Sequence, residues 1–159
     1  MRSTGVLFPL LIAATLSAAC SRVNPFGSDR EAVSESVSQS PELTMEIATT
    51  QLQHHGYEVA RLDESVLITT PRTVPDHLRG SNGEIPAGTQ WFLRVEAEDM
   101  RFLAGTSVNI RGYLLPQGRE RATNQLTQNA QPVTSVDHPD LFREVETSAA
   151  WIIDAVNRR

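Results

Sequence analysis

Residues 90–115, with the sequence QWFLRVEAEDMRFLAGTSVNIRGYLL, decide the fold of this chain. Side chains of an extended strand alternate between two faces. One face of residues 90–102 collects apolar side chains, namely Trp91, Leu93, Val95 and Ala97. The opposite face is mostly charged and carries Phe92, Arg94, Glu96 and Glu98. Residues 106–115 alternate in the same way. The two segments together predict an antiparallel hairpin with one face covered by other elements and the other largely exposed to solvent.

A shorter hairpin precedes this one along the chain. Residues 57–62 and 65–70 are β-branched or alternating runs, and the polar pair Asp63-Glu64 separates them. Short runs joined by two polar residues are typical of a β-hairpin. The two hairpins together predict a four-stranded antiparallel sheet.

A helix is predicted before the first hairpin, over residues 41–55. Ser40 provides a capping hydroxyl, Pro41 suits the first turn, and Glu42 places an acid at the positive end of the helix dipole. Gly56 provides the C-terminal stop. The helix has an apolar stripe that consists of Leu43, Ile47, Ala48 and Leu52.

A second helix is predicted after the sheet, over residues 139–157. Its apolar residues recur every three or four positions and include Leu141, Val145, Ile152 and Val156. The element order is then α-β-β-β-β-α. This order predicts a single α+β domain over residues 41–159, a two-layer sandwich with both helices on one face of the four-stranded sheet.

The composition is that of one ordinary soluble domain. The chain has 159 residues, of which 40% are apolar and 21% are charged. A disordered chain is therefore excluded, and no stretch reaches the roughly 20 continuous apolar residues of a membrane-spanning helix.

All 14 basic residues are arginines, and the formal net charge is −5. A protein that binds nucleic acid requires a basic patch, which this sequence lacks. The single cysteine excludes internal disulfides and cysteine-based zinc sites.

The first twenty residues have the features of a secretory signal. Arg2 is followed by an uncharged stretch with an apolar centre over residues 6–14 and small residues at its end. The only cysteine follows at once, in the sequence Leu16-Ser17-Ala18-Ala19-Cys20. In these residues the chain resembles the precursors of bacterial lipoproteins, in which cleavage precedes the cysteine and lipid is attached to it.

This resemblance implies a location as well as a modification. It implies a signal peptide over residues 1–19, acylation of Cys20 with palmitate or a similar fatty acid, and attachment to a membrane of the cell envelope. In that family, a residue such as Ser21 after the cysteine, rather than aspartate, implies the outer membrane on its periplasmic side. Removal of residues 1–19 leaves 140 residues and, since Arg2 is the only charged residue removed, changes the formal net charge from −5 to −6.

Two other interpretations of the N-terminus stay open. Ser17-x-Ala19 also suits an ordinary signal peptidase, whose cleavage would leave a soluble periplasmic protein with a free thiol. An uncleaved membrane anchor is the other alternative, although Pro9 interrupts the short apolar segment. Residues 20–40 combine the lipid attachment site with a serine-rich segment that predicts a flexible tether, with a short helix over residues 31–37 as the alternative.

The residue types that commonly perform catalysis or hold metals are not arranged for either purpose. His54 and His55 are adjacent on a helix, so they point about 100° apart and cannot chelate one ion as an i, i+4 pair would. A joint metal site of His77, His138 and Asp140 would require two loops to converge. Three carboxylates cluster beside arginines on the predicted solvent-exposed face of the sheet, namely Glu96, Glu98 and Asp99. Because nucleophile elbows and phosphate-binding glycine loops are also missing, we predict no enzymatic activity, no cofactor and no metal.

The connection over residues 71–89 is the strongest candidate for a binding surface. Its sequence, PRTVPDHLRGSNGEIPAGT, is unusually long for a link between strands of a compact domain. Long structured loops often carry binding residues. The predicted partner-binding residues are Arg72, His77, Leu78 and Arg79. The polar segment 117–135 predicts a second long connection.

These observations favour a non-enzymatic binding or adaptor domain of the cell envelope. Its predicted partners are membrane lipid, through acylated Cys20, and another envelope protein, with no nucleic acid. The alternative is a carrier of a lipid or other apolar ligand between the sheet and its helices. The aromatic residues that would line such a cavity are Trp91, Phe92, Phe102 and Trp151.

Overall fold

The structure is a computed structural model that describes residues 29–80, 85–100, 104–115 and 130–159. Within these ranges the chain forms two α-helices, one short 3-10 helix and an antiparallel sheet of seven strands. The helices are α1 (Pro41–His54), α2 (Pro139–Asn157) and the 3-10 helix Asp76–Leu78. The strands are β1 (Val33–Val37), β2 (Val59–Arg61), β3 (Val66–Thr69), β4 (Arg72–Thr73), β5 (Gln90–Asp99), β6 (Thr106–Leu115) and β7 (Gln131–Pro132). No helix in these ranges is long and apolar enough to cross a membrane.

The seven strands occupy five positions across the sheet, in the order β1-β6-β5-β3-β2. The long hairpin β5–β6 is the centre, where Val95 pairs with Ile110 and Arg94 with Arg111. Strands β3 and β4 pair one after the other along the free side of β5. Strands β1 and β7 do the same along the free side of β6.

The prediction of an α+β domain with two hairpins and two helices is confirmed, but the prediction of a four-stranded sheet is wrong. Strands β2, β3, β5 and β6 lie within the four predicted segments. The three additional strands are short and polar. Strand β4 is separate from β3 because Pro71, which has no backbone N–H to donate, stands in the break between them. Strand β7 has only two residues, one of which is Pro132.

The prediction of a flexible tether is wrong for Val33–Val37, and so is the alternative of a helix there. These residues form β1, an edge strand in which Val33 pairs with Ile110 and Val37 with Thr106. The hydroxyl of Thr106 also donates to the backbone carbonyl of Gln39 at 2.6 Å. The sheet therefore begins at Val33, before the predicted domain start at residue 41. An edge strand buries little apolar surface, which explains why this segment resembles a tether in sequence.

Both helices cover the same face of the sheet. Helix α1 packs on β5, and α2 packs on β6 and β1, so the two helices lie side by side and contact each other. The predicted cap and stop of α1 are confirmed: Ser40 Oγ accepts a hydrogen bond from the backbone N–H of Leu43 at 3.3 Å, and Gly56 adopts φ +80°. The core between helices and sheet consists of apolar side chains that are almost fully buried, among them Met45, Leu52, Leu67, Trp91, Leu93, Ile110, Phe142 and Ile152.

The opposite side of the sheet, which we call the open face, is mixed in character. A small apolar cluster of Ile68, Phe92 and Leu115 lies at one end of it. The ring of Tyr113 stacks on Phe92 with centroids 5.3 Å apart. Farther along the same face, Arg94 and Glu96 form an ion pair on β5. The predicted alternation between an apolar and a mostly polar face of β5 is therefore confirmed.

Candidate functional site

The four predicted partner-binding residues lie in two different environments. His77, Leu78 and Arg79 lie in and directly after the 3-10 helix, whereas Arg72 lies in β4. His77 is exposed and Arg79 pairs with Asp76, with Nη2 2.6 Å from Oδ1. Leu78 is half-buried because it packs against the main core. Within this turn, Asp76 and His77 are therefore the exposed side chains, whereas Arg79 keeps only 24% of its side-chain surface exposed.

Arg72 belongs to a cluster of aromatic and polar side chains between the sheet and α2. Its guanidinium carbon lies 3.8 Å from the ring centroid of Tyr57 and 5.1 Å from that of Trp91. Its Nη2 donates to the Tyr57 hydroxyl and lies 3.7 Å from the Glu144 carboxylate. Contacts between a guanidinium and aromatic faces are favourable and are stronger where water is partly excluded.

Burial controls the ionisation of Tyr57 in this cluster. The residue is only 5% exposed, and this desolvation raises the pKa of its hydroxyl above the ordinary value of 10.0. Ser148 and the positive charge of Arg72 act in the opposite direction but do not cancel the effect. The hydroxyl lies 3.4 Å from both Glu144 Oε1 and Ser148 Oγ. Tyr57 is thus neutral at physiological pH and connects the end of α1 to α2.

The geometry gives Arg72 a structural role that the sequence did not reveal. Tyr57, Trp91 and Glu144 come from three other parts of the chain, so no local pattern joins them to Arg72. The Arg72 side chain keeps 39% of its surface exposed, which leaves one side open to a ligand or partner. The cluster holds β4 against α2 and presents one half-exposed cation at the surface.

The histidines lie at helix ends and in a turn. His55 follows the last residue of α1 and stacks on Trp151 of α2, with ring centroids 3.6 Å apart. His138 occupies the N-cap position of α2 without a capping side-chain hydrogen bond, while the neighbouring turn is closed by Thr134 and Asp137. Within the described ranges, no group of three or more His, Cys, Asp or Glu side chains is placed to hold a metal ion.

The aromatic residues of the carrier alternative do not line a common space. Trp91 is fully buried on the helix-covered face of the sheet, whereas Phe92 belongs to the cluster on the open face. Trp151 is half-buried on α2, and its ring stacks on that of His55. Phe102 lies outside the described residues. The geometry therefore gives the carrier no shared cavity among the three described aromatics.

A surface groove of about 1290 Å³ lies between the start of α1, the β2–β3 turn and the end of β5. Most of its charged lining residues are acids, namely Glu42, Asp63, Glu64, Glu98 and Asp99. Asp63 accepts hydrogen bonds from the backbone N–H and the hydroxyl of Ser65, and these bonds lower the pKa of its carboxyl. Arg61 is occupied by the backbone carbonyls of Asp63 and Glu64. The carboxylate of Asp63 thus stabilises the β2–β3 turn through these hydrogen bonds.

The predicted lipid attachment site Cys20 and the signal peptide 1–19 lie outside the described residues. No family model matches the chain, and none of the curated proteins that were searched is similar to it.

Proposed function

We propose that this chain is a lipid-anchored protein of the bacterial cell envelope whose α+β domain binds another envelope protein without catalysing a reaction. The observation that carries the proposal is the position of the only cysteine, directly after an apolar segment with one preceding positive charge. The acylated Cys20 would attach the domain to the outer membrane on its periplasmic side.

The contacts of the first described residues support a domain held close to the membrane. The backbone of Arg30 exchanges two hydrogen bonds with Ser135, and the Arg30 side chain pairs with Glu146 at 2.8 Å. Asp29 accepts from the backbone N–H of Val136. Only eight residues separate Asp29 from Cys20. Because an extended chain spans at most about 3.3–3.6 Å per residue, the domain would remain within roughly 30 Å of the lipid attachment point.

The anchor is tested by metabolic labelling with a palmitate analogue, followed by membrane fractionation. Cys20→Ala should abolish labelling and release the domain from membranes, because no other residue of the chain carries a thiol. Ser21→Ala is the matched control and should remain labelled and membrane-bound. A Cys20→Ala protein that is still labelled and membrane-bound would reject acylation at Cys20 in favour of another anchor.

The binding role is tested by photo-cross-linking in intact cells. Amine-reactive reagents are unsuitable because the chain has no lysine. A photoreactive amino acid at position 77, which is exposed in the predicted binding loop, should give a discrete adduct with another envelope protein. The same group at the exposed position 157, at the end of α2, is the control. The same adducts from both positions, or none from either, would contradict a partner at this loop.

A further inference from the structure

The hydrogen-bond pattern of β6 determines which backbone groups of the edge strand β1 face the rest of the sheet. In an antiparallel pair, alternate residues direct both backbone groups to the same neighbouring strand. Gly112 of β6 accepts a hydrogen bond from the backbone N–H of Val133 at 2.9 Å, on the side of β6 where β7 and β1 lie. Ile110 faces the same side, since it lies two residues away, and it is the partner of Val33 in β1. The first, third and fifth residues of β1 therefore direct their backbone groups to β6.

The second and fourth residues of β1, Ser34 and Ser36, direct their backbone groups away from the sheet. Within the part of the chain that the structure describes, these outward groups have no hydrogen-bond partner. The two serines form hydrogen bonds only through their hydroxyls, which donate to Asn109 Oδ1 and Met100 Sδ. An edge with unpaired N–H and C=O groups is a template on which another strand can pair.

The sequence of β1 makes this edge complementary to itself. Residues 33–37 read Val-Ser-Glu-Ser-Val, which is the same in both directions. If β1 paired antiparallel with β1 of a second copy in a register centred on Glu35, Ser34 would stand opposite Ser36 of the second copy. The outward backbone groups of these serines would then bond to each other. Registers shifted by two residues would pair only three of the five residues of β1.

A second copy in this register would also fit the helix layer. The two-fold axis of an antiparallel strand pair is perpendicular to the sheet, so the helices of both copies would lie on the same face. In each copy α2 packs over β1 and β6, and strands lie about 4.8 Å apart, so the two α2 helices would be about 10 Å apart. This distance is typical of packed helices, whose axes lie about 8–10 Å apart.

Glu35 opposes this pairing. It lies on the helix-covered side of β1, between Val33 and Val37, which pack against the main core, yet its own side chain is exposed. It forms no ion pair with any described residue. In the centred register Glu35 would face its own counterpart in a non-hydrogen-bonded pair, with Cα atoms about 4.5 Å apart. Like charges directly opposite each other destabilise a strand pair.

From these observations we infer that β1 is a self-complementary edge and that the charge of Glu35 keeps two copies of this chain from joining their sheets through it. A charged side chain that points to the covered side of an edge strand is one means by which proteins prevent edge-to-edge association. Glutamine at this position keeps the size of the side chain and removes the charge. The same edge should then accept a second copy.

Sedimentation velocity over a concentration series measures the self-association. The parent is the chain from position 20 with Cys20→Ser, which removes the predicted site of lipid attachment. We expect the parent to remain monomeric and Glu35→Gln to dimerise, with a dimer Kd lower by about tenfold or more. Glu46→Gln removes the same charge at an exposed position of α1 and should behave as the parent does. Adding Ser34→Pro to Glu35→Gln removes an outward N–H and should abolish the dimer.

A cysteine at position 35 tests the register. In the centred register this position stands opposite itself, at a Cα distance of about 4.5 Å, which a disulfide can span. Glu35→Cys in the Cys20→Ser chain should therefore give a covalent dimer on a non-reducing gel after oxidation with copper phenanthroline. Glu46→Cys is the control and should give clearly less. Equal cross-linking at the two positions would contradict the centred register.

Amide hydrogen exchange of the parent tests the free edge without any substitution in β1. The amides of Ser34 and Ser36 should exchange faster than those of the other three residues of β1, which bond to β6. The inference would be overturned by slow exchange of both serine amides, by a Glu35→Gln chain as monomeric as the parent, or by equal dimerisation of Glu46→Gln. A Glu35→Gln dimer that Ser34→Pro leaves intact would overturn it in favour of another surface.

Discussion

Gly112 of β6 lies directly beneath Val145 of α2, so close that a methyl group on its Cα would approach Val145 Cγ2 to 2.7 Å. The same methyl group would lie 3.3 Å from the side chain of Val133. Real Cβ atoms essentially never approach a neighbour to less than 3.0 Å. The missing side chain of Gly112 is therefore what allows α2 to pack this closely on the centre of the sheet.

We accordingly predict that Gly112→Ala destabilises the domain, by about 1–3 kcal/mol, which is typical of overpacking in a core. Backbone entropy alone predicts the opposite sign, since replacing a glycine within a strand by alanine normally stabilises it by roughly 0.5–1 kcal/mol. Urea denaturation of the two proteins decides between these expectations. Adding Val145→Ala should recover part of the loss through a coupling free energy of about 0.5–3 kcal/mol. A Gly112→Ala domain as stable as the parent would show that α2 can move away at no cost.

A second prediction concerns the edge strand. A domain that begins at Ser40 lacks β1, and with it the nearly buried side chain of Val37 and the carbonyl of Gln39 that accepts from Thr106. It should unfold at a clearly lower urea concentration than a domain that begins at Asp29. A domain that begins at Ser21 is the control and should match the one from Asp29. Equal midpoints for the Ser40 and Asp29 domains would show that β1 adds nothing to the fold.

The elements that could be predicted from sequence are those whose own residues carry a strong period. The alternation in β5 and the apolar recurrence in α2 identify these elements without reference to the rest of the chain. In β1 the only apolar residues are Val33 and Val37, a spacing that suits a helix turn as well as a strand. Strands β4 and β7 have two residues each, too few for any period. Their pairing depends on where the ends of β5 and β6 come to lie in the fold.

The contacts around the candidate site could not be predicted for the same reason. Arg72 is recognisable in sequence as an arginine in a long connection, but its aromatic neighbours Tyr57 and Trp91 approach it only through tertiary structure. The opposition of Arg94 and Arg111 likewise depends on the hairpin register, which fixes the pairs across the two strands. Sequence identified the faces of the strand on which Trp91 and Arg94 lie and gave no information on their partners.

A third prediction tests the packing of α2. Ile152 is fully buried in the core, so Ile152→Ala removes buried methylene groups, leaves a cavity and should cost roughly 2–5 kcal/mol. Ile153→Ala makes the same chemical change at the next residue, which is only half-buried, and should cost clearly less. The free energies of unfolding come from urea denaturation of a chain that begins at position 20 and carries Cys20→Ser, which removes the predicted site of lipid attachment. Equal losses at the two positions would be inconsistent with α2 covering the sheet through its Ile152 face.

The last prediction concerns the stability of the domain at alkaline pH and follows from the raised pKa of Tyr57. In the unfolded chain this tyrosine loses its proton near the ordinary value of 10.0, whereas in the folded domain burial keeps it protonated to higher pH. Above about pH 10 the folded state therefore binds more protons than the unfolded state, and the free energy of unfolding must fall as pH rises.

The Tyr57→Phe variant tests this prediction, because it has no proton to lose at this position. We expect the parent to lose more stability than Tyr57→Phe between about pH 9 and pH 11, as measured by urea denaturation at each pH. Tyr113 is present in both proteins and cancels in the comparison. Parallel pH profiles of the two proteins would show that the Tyr57 hydroxyl ionises as freely in the fold as in the unfolded chain, and would contradict its burial between Arg72, Glu144 and Ser148.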